Sequence, residues 1–360
     1  MKSIPIEQHL SVDKQIIRYK GRSGLKQYNP KKPKKWGYKL FCLAGASGIV
    51  YDFEVYCGAH KQPDDLPDIS ASINVVIRLA ERIPKNQNFL LFYDNWFCSP
   101  ELQIKLSENG IQSLGTVRTN RVPKNKLPAD KVLMKQGRGS CVEKVAVHNS
   151  TTLRVVKWYD NKAVTLLSTF ASASPETTVQ RYDRKKKESV TIKCPSIIIL
   201  YNKFMGGVDL IDSLLALYRT KIRSRKYYLR IFFHLMDMSV IIAWLMYRRA
   251  SDDCGIPKRQ LSLYDFKADV AQSLCWASKL AKRGRPSGST PSLDKKKIKT
   301  CVSANADCIA DRMDHWPHYE KKTGRCKNKK CQKITKVKCT KCNCFLCFVP
   351  DRNCFLDFHQ

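Results

Sequence analysis

Residues 201–230 read YNKFMGGVDLIDSLLALYRTKIRSRKYYLR, and the rest of the chain is organised around them. Gly206-Gly207 reads as the end of an extended run, where a residue without Cβ lets the backbone turn tightly. From Val208 the apolar positions Val208, Ile211, Leu214, Leu215 and Tyr218 recur at helical spacing. Asp209 and Asp212 lie three apart, so they share a second face near the positive end of that helix. Arg219, Lys221, Arg223, Arg225, Lys226 and Arg230 follow, interleaved with Tyr227 and Tyr228. Two carboxylates beside a basic and aromatic strip suggest an acidic metal site opening onto nucleic acid. The plainer alternative is a helix whose acids sit in its first turn and whose basic face is merely solvated.

Working outward, the whole chain is basic. Its 360 residues carry 65 Lys+Arg against 31 Asp+Glu, a formal charge of +34. That excess implies a polyanionic partner, and nucleic acid fits better than an anionic membrane because no basic amphipathic helix or lipidation signal accompanies it. No apolar run is read as approaching the ~18 residues that span a bilayer, and the N-terminus lacks the apolar core of a signal peptide. Nine of the 16 cysteines fall between Cys301 and Cys354. Without a secretory signal, the cluster reads as a metal site and the scattered thiols as reduced, so an intracellular compartment is expected.

Upstream, residues 1–35 are basic and turn-rich and read as a lead-in crossing the surface. Residues 38–43 (YKLFCL) and 49–56 (IVYDFEVY) read as a β-hairpin. Residues 69–83 read as a helix stopped by Pro84, and FLLFY (89–93) as a strand buried on both faces. Residues 100–109 form a second helix with Pro100 at its first position, and residues 111–117 a further strand. This alternation predicts an α/β core, interrupted between residues 119 and 194 by short strands that read as a small β insertion. Residues 181–187 read as a charged loop, and PSIIILY (195–201) as the return to the core. Residues 228–247 predict a buried core helix. Residues 276–300, with eight Lys/Arg and one acid, read as a linker. Within it Lys282-Arg283-Gly284-Arg285-Pro286 matches an AT-hook, which inserts Arg-Gly-Arg into a narrow minor groove; a plain basic linker or a nuclear-import signal fits the same residues.

Asp94 stands where the buried strand ends, the end at which ligand sites of α/β sheets collect. It and Asp209 are expected to meet at one edge of the sheet and hold Mg²⁺, which would activate water or a 3′-hydroxyl for attack on a phosphodiester. Asp94 capping the following turn is the alternative.

FYDNWFCSPELQIKL (92–106), GTVR (115–118) and YNKFMGGVDLIDSLLALYR (201–219) together resemble the piggyBac transposase family, in particular its host-resident derivatives. The resemblance covers about residues 10–249 and resumes in the tail. It implies an RNase H-like DDE transposase core with a β-rich insertion. It also implies that Asp94 and Asp209 are two of three metal-binding catalytic carboxylates, with Asp212 in support. The third acid is expected after the first strand, in a block resembling C-D-S-x-T-G. Matching that block to residues 43–48 places Ala44 at the carboxylate position, with Asp52 as the candidate substitute. Alanine cannot ligate Mg²⁺, so this alignment predicts a weakened or lost activity. The chain opens just before the core, so an N-terminal region found in active members is expected to be absent or truncated.

The tail carries the densest metal signal. His315, Cys326, Cys331, Cys339, Cys342, Cys347, Cys354 and His359 supply eight ligands, enough for two tetrahedral structural Zn²⁺ sites, with Cys344 and His318 as spare candidates. A segment of ~45 residues needs such staples to fold. The family's C-terminal zinc ribbon looks similar, and which ligands share an ion is left open.

The domains expected are a lead-in (1–35), the first part of the RNase H-like core (36–118), the β-rich insertion (119–194), the second part (195–275), a basic linker (276–312) and a zinc-ribbon or cross-brace domain (313–360). The function expected is that of a domesticated or decayed piggyBac-derived DNA-binding protein of the nucleus. Its partner is double-stranded DNA, contacted by Arg219, Lys221, Arg223, Arg225, Lys226, Arg283 and Arg285; a homodimer is admitted and no membrane is expected. One alternative is an active DDE/D transposase carrying out Mg²⁺-dependent cleavage and strand transfer. A second is a zinc-dependent protein-interaction module.

Overall fold

The computed structural model describes residues 4–30, 35–58, 61–123, 126–183, 187–224, 226–255, 260–277, 309 and 313–359. The AT-hook-like segment, with Arg283 and Arg285, and Arg225 of the basic strip lie outside them. The chain divides into two compact units, Met1–Gln260 and Leu261–Gln360.

The first unit is built on a nine-stranded sheet. Its strands are β1 (His9–Arg18), β2 (Gln27–Tyr28), β3 (Trp36–Gly45), β4 (Val50–Val55), β5 (Leu90–Tyr93), β6 (Gln112–Thr116), β7 (Cys141–His148), β8 (Thr151–Tyr159) and β9 (Ala163–Ser168). Their order is β3-β1-β5-β6-β9-β8-β7, with β2 and β4 both pairing the outer edge of β3. β3 is antiparallel to both its neighbours β1 and β4, whereas β5 and β6 run parallel to β1. That sequence of two antiparallel and two parallel neighbours is the RNase H-like core expected from the resemblance.

Two expectations are corrected here. Residues 1–35 are not a surface lead-in: β1 is the central strand, with Leu10, Ser11, Val12, Gln15, Ile16 and Ile17 buried. Its polar Asp13-Lys14-Gln15 triplet breaks the apolar alternation by which strands are recognised. The β insertion is not separate either, since β9 pairs β6 and extends the main sheet through β8 and β7. A hairpin of β10 (Glu176–Asp183) and β11 (Glu188–Pro195) forms its own two-stranded sheet, and residues 181–183 of the expected charged loop belong to β10.

Helices α1 (Ala71–Ala80) and α2 (Pro100–Glu108) follow the predicted segments, α2 being capped by Ser99, whose Oγ accepts from the Leu102 N–H at 3.2 Å. α3 (Asp130–Gln136) sits under β8 and β9. Residues 195–201 do not return as a strand but begin α4 (Ser196–Phe204). Its Phe204 stacks on His9 of β1 with ring centroids 3.8 Å apart. α5 (Gly207–Leu217) then packs on β1 and β3, burying Val208, Ile211 and Leu215. Gly206 needs no special backbone, at φ −80°, ψ 2°. Gly207 is required for close approach instead: a Cβ there would lie 2.2 Å from the Gly45 carbonyl and 3.0 Å from Ser11 Oγ.

α6 (Tyr227–Asp253) spans 27 residues. Contrary to the sequence reading, it is long and apolar enough, by length and composition alone, to cross a membrane. One face nonetheless packs on β1 and α5, and it buries polar groups with partners there. His234 Nε2 lies 3.2 Å from Gln15 Oε1, and Asp237 accepts from the Thr220 N–H and hydroxyl at 2.9 and 2.8 Å.

In the second unit, α7 (Leu263–Ala277) precedes a small fold of β12 (Pro317–Arg325), β13 (Ile334–Cys339) and α8 (Cys354–His359). Its core is unusually thiol-rich: Cys326, Cys339, Cys342, Cys344, Cys347 and Cys354 are buried around Val337, Leu346 and Phe355.

Candidate active site and metal centres

In the first unit the central observation is the position of Asp13. β1 and β5 run parallel with Val12 opposite Tyr93, so the next residues of the two strands are Asp13 and Asp94. Asp13 is half-buried and lies opposite Cys42 of β3. Ala44, the residue matched to the missing carboxylate, is fully buried in β3 and pairs with Ser11. The first strand of this core is β1, not β3, and the acid it carries is Asp13. Asp52 does not substitute: β4 is three strand spacings from β5, about 14 Å at ~4.8 Å per spacing.

The turn after β5 is tightly specified. Asp94 Oδ1 accepts from the Trp96 N–H at 2.8 Å, and the Asp94 carbonyl accepts from the Phe97 and Cys98 N–H groups. Arg121 closes the turn from outside, its guanidinium donating to the carbonyls of Asn95, Trp96 and Cys98 at 2.9–3.3 Å. Asp94 thus caps the turn, as the plainer reading held, and still presents Oδ2 outward. That oxygen is 2.8 Å from Lys14 Nζ.

Two shifted groups report the field of these acids. Burial, with Asp94 and Asp13 adding to it, pushes the Tyr201 phenol up to about 12, against a lowering contact from Thr116. Burial also pushes the Cys42 thiol far up, reinforced by Asp13, Asp212 and Asp52. Tyr201 OH lies 3.5 Å from Thr116 Oγ1, and Asp212 of α5 lies 4.0 Å from the Arg219 guanidinium. Asp209, one turn earlier on α5, is exposed. Asp13, Asp94 and Asp209 do not draw within 4.8 Å of one another as the Cys/His groups described below do, among the described residues. Oxygen-only donors of this kind suit a hard divalent cation, and the ammonium on Oδ2 shows that Asp94 already holds positive charge. Sequence reasoning missed Asp13, Lys14, Arg121 and Tyr201. The signal available was the acid at the midpoint of an otherwise buried strand.

A cavity of about 1340 Å³ opens beyond the end of β1. Arg18, Lys20 and Arg22 line one side, and Arg219, Lys221, Arg223 and Arg230 the other, with Asp237 the one carboxylate in the lining. The Thr220–Asp237 bonds fix the basic loop to α6. Of the predicted contacts, Arg219, Lys221 and Arg223 are brought together there, while Lys226 stands at the first boundary of α6 without a side-chain capping bond and is exposed.

In the second unit all eight predicted ligands fall into two groups, each with its ligand atoms within 4.8 Å. One comprises His315, Cys339, Cys342 and His359; the other comprises Cys326, Cys331, Cys347 and Cys354. The groups alternate along the chain, so each closes loops of the other in a cross-brace. His315 Nδ1 lies 3.3 and 3.4 Å from the sulfurs of Cys339 and Cys342, and the Cys331 and Cys347 sulfurs are 3.9 Å apart. His359 Nδ1 lies 2.7 Å from the Phe355 carbonyl, which fixes the ring and leaves Nε2 as the ligand. The Cys331 thiol is held down to about 7, chiefly by the Lys333 backbone N–H, which favours the thiolate that metals bind. Both groups could hold a metal ion. The two spare candidates are not in them: Cys344 donates to the Cys342 carbonyl, and His318 is exposed on β12.

Beyond the fold itself, residues 1–244 match the family model described as Transposase IS4. The chain belongs to that family, and its relatives are of the piggyBac type. It is 29% identical over 368 residues to human PiggyBac transposable element-derived protein 3, covering all of this chain and 56% of the relative. It is 30% identical over 274 residues to human PiggyBac transposable element-derived protein 2, covering 75% of this chain and 45% of the relative. The chain thus spans about half the length of these relatives. A piggyBac transposase solved by cryo-EM as a synaptic complex with hairpin DNA shares its fold, with a TM-score of 0.60 at 20% identity, over 95% of this chain and 69% of the other.

Proposed function

We propose that this chain is a nuclear DNA-binding protein of the piggyBac type whose carboxylate site is complete, with Asp13, Asp94 and Asp209 as the metal-binding acids and Asp212 in support. The observation that carries the reading is the register of β1 and β5, which sets Asp13 beside Asp94. The decayed-site reading rested in part on Ala44 at the first acid, and that residue is not on the first strand. We therefore favour the alternative expectation, Mg²⁺-dependent DNA cleavage and strand transfer.

The chain's own residues would work as follows. Arg18, Lys20, Arg22, Arg219, Lys221 and Arg223 neutralise the phosphates of a duplex lying in the basic cavity. Asp13 and Asp94, fixed by the sheet and by the Arg121-clamped turn, would hold the cation, with Asp209 and Asp212 of α5 as its further carboxylates. When bound, Mg²⁺ supplies charge at the scissile phosphate and a lowered pKa for the attacking oxygen. The DNA in the synaptic complex of the fold relative supports a polynucleotide as the partner.

In the second unit we propose one Zn²⁺ in each group. Tetrahedral Zn²⁺ with Zn–S of ~2.3 Å and Zn–N of ~2.05 Å has S···S edges of about 3.8 Å and S···N edges of about 3.5 Å. The separations of 3.9, 3.3 and 3.4 Å agree with those edges. These ions are structural.

A plasmid excision assay tests the reading. Excision that disappears with Asp13→Asn and with Asp94→Asn is expected. Excision indifferent to Asp13 would restore the incomplete site, and duplex affinity insensitive to salt would remove the electrostatic DNA contact.

A further inference from the structure

The Asp94 carboxylate is already engaged by a cation of the chain itself. Lys14 Nζ lies 2.8 Å from Asp94 Oδ2, with the two side chains 20% and 26% exposed. The backbone N–H of the same lysine donates to Asp13 Oδ1 at 2.8 Å. One residue therefore touches both acids. Its ammonium sits 5.9 Å from the centroid of the Trp96 ring, which stacks on Phe41 at 5.4 Å and 13°. A second ammonium, Lys39, lies 5.5 Å from the same ring, and burial and Lys14 both disfavour its charged form. Lys14 is thus crowded by like charge on one side and drawn to the carboxylates on the other.

We propose that Lys14 is a resident counter-ion of the Asp13–Asp94 pair, which a divalent cation must displace from Asp94 before binding, so that this lysine sets the metal affinity of the site. The inference rests on the three-carboxylate reading and adds a determinant to it. A divalent ion gains Asp94 only by breaking a charged contact at 2.8 Å, and it then sits within a few ångströms of the released ammonium. At such separations like charges repel appreciably even at the effective dielectric of a protein surface, and partial exposure and salt weaken the effect without removing it. A neutral residue at position 14 is expected to tighten divalent binding by at least about tenfold.

The test is Mn²⁺ binding to the zinc-replete full chain, followed by electron paramagnetic resonance and calorimetry. Lys14→Met and Lys14→Gln should bind Mn²⁺ at least about tenfold more tightly than the parent, and Lys14→Arg, which keeps the charge, should bind like the parent. Unchanged or weaker binding in the folded neutral variants overturns the proposal. So does loss of folding in both, because the ion pair would then be structural. Asp13→Asn and Asp94→Asn separate the two levels. If they leave Mn²⁺ binding intact, the three-carboxylate reading itself fails; if they abolish it while the Lys14 variants match the parent, only the role of Lys14 falls.

Discussion

Adjacent glycines at the start of α5 should respond very unequally to the same substitution. In Gly207→Ala the new methyl group would lie 2.2 Å from the Gly45 carbonyl oxygen, a backbone atom of the sheet, and 3.0 Å from Ser11 Oγ. An ordinary carbon–oxygen contact is more than an ångström longer than the first of these, and a sheet carbonyl cannot swing aside. α5 must therefore move off β1 by about 1 Å, thinning the packing of Val208, Ile211 and Leu215. Overpacking of this kind costs typically 1–3 kcal/mol, and the backbone obstacle puts this case at about 3 kcal/mol. In Gly206→Ala the methyl group meets nothing within 4 Å, and the backbone is one any residue adopts. Restricting the unfolded chain there stabilises by ~0.4–1 kcal/mol, offset by a similar loss in N-cap quality, so the net change should stay within about 0.5 kcal/mol. Urea unfolding of the full chain followed by circular dichroism, with hydrogen exchange to assign the transition to the first unit, measures both. Equal destabilisation by the two variants, or a neutral Gly207→Ala, would refute the account of how α5 is seated.

Other substitutions test other parts. Asp237→Ala removes a buried acceptor of two hydrogen bonds from Thr220. It should lower stability by about 2 kcal/mol and weaken duplex binding by freeing the basic loop, read by fluorescence anisotropy. Replacing Lys221 or Arg223 by Ala should reduce the slope of log affinity against log salt by roughly 1 for each phosphate no longer neutralised. Cys339→Ser and Cys347→Ser fall in different groups; each should cut bound zinc from two ions per chain to one at most, measured by mass spectrometry of the metal. In the folded protein a thiol reagent at pH 8 should modify Cys57, Cys254 and Cys275 quickly, because they are exposed. Cys42 and Cys98 should be spared, because burial pushes their thiols far up and leaves little thiolate.

Much of the fold was legible because its determinants are local. The β3–β4 hairpin, α1, β5, α2 and β6 each show period, cap or breaker in the sequence, and the eight tail ligands are marked by residue type alone. What escaped was set by long-range pairing. Asp13-Lys14-Gln15 interrupts the apolar pattern of β1 because the first two of those residues meet Asp94 across the sheet, and functional positions are where pattern-based reading fails. With β1 unseen, β3 became the first strand and Ala44 inherited a role its place in the sheet does not give it. SIIIL of α4 is rich in β-branched residues and reads as a strand by propensity; packing of Ile197 and Ile198 against the sheet, with Phe204 on His9, makes it a helix. The pairing of metal ligands needed the cross-brace, which no spacing rule supplies.

A crystal structure of the full chain soaked in Mn²⁺, with anomalous scattering recorded at the manganese edge, is the most direct test. A peak within bonding distance of both Asp13 and Asp94, with the Lys14 ammonium moved away from Oδ2, is the predicted result. Manganese bound by neither acid, or by Asp94 without Asp13, would contradict the claim that the central strand supplies the missing carboxylate.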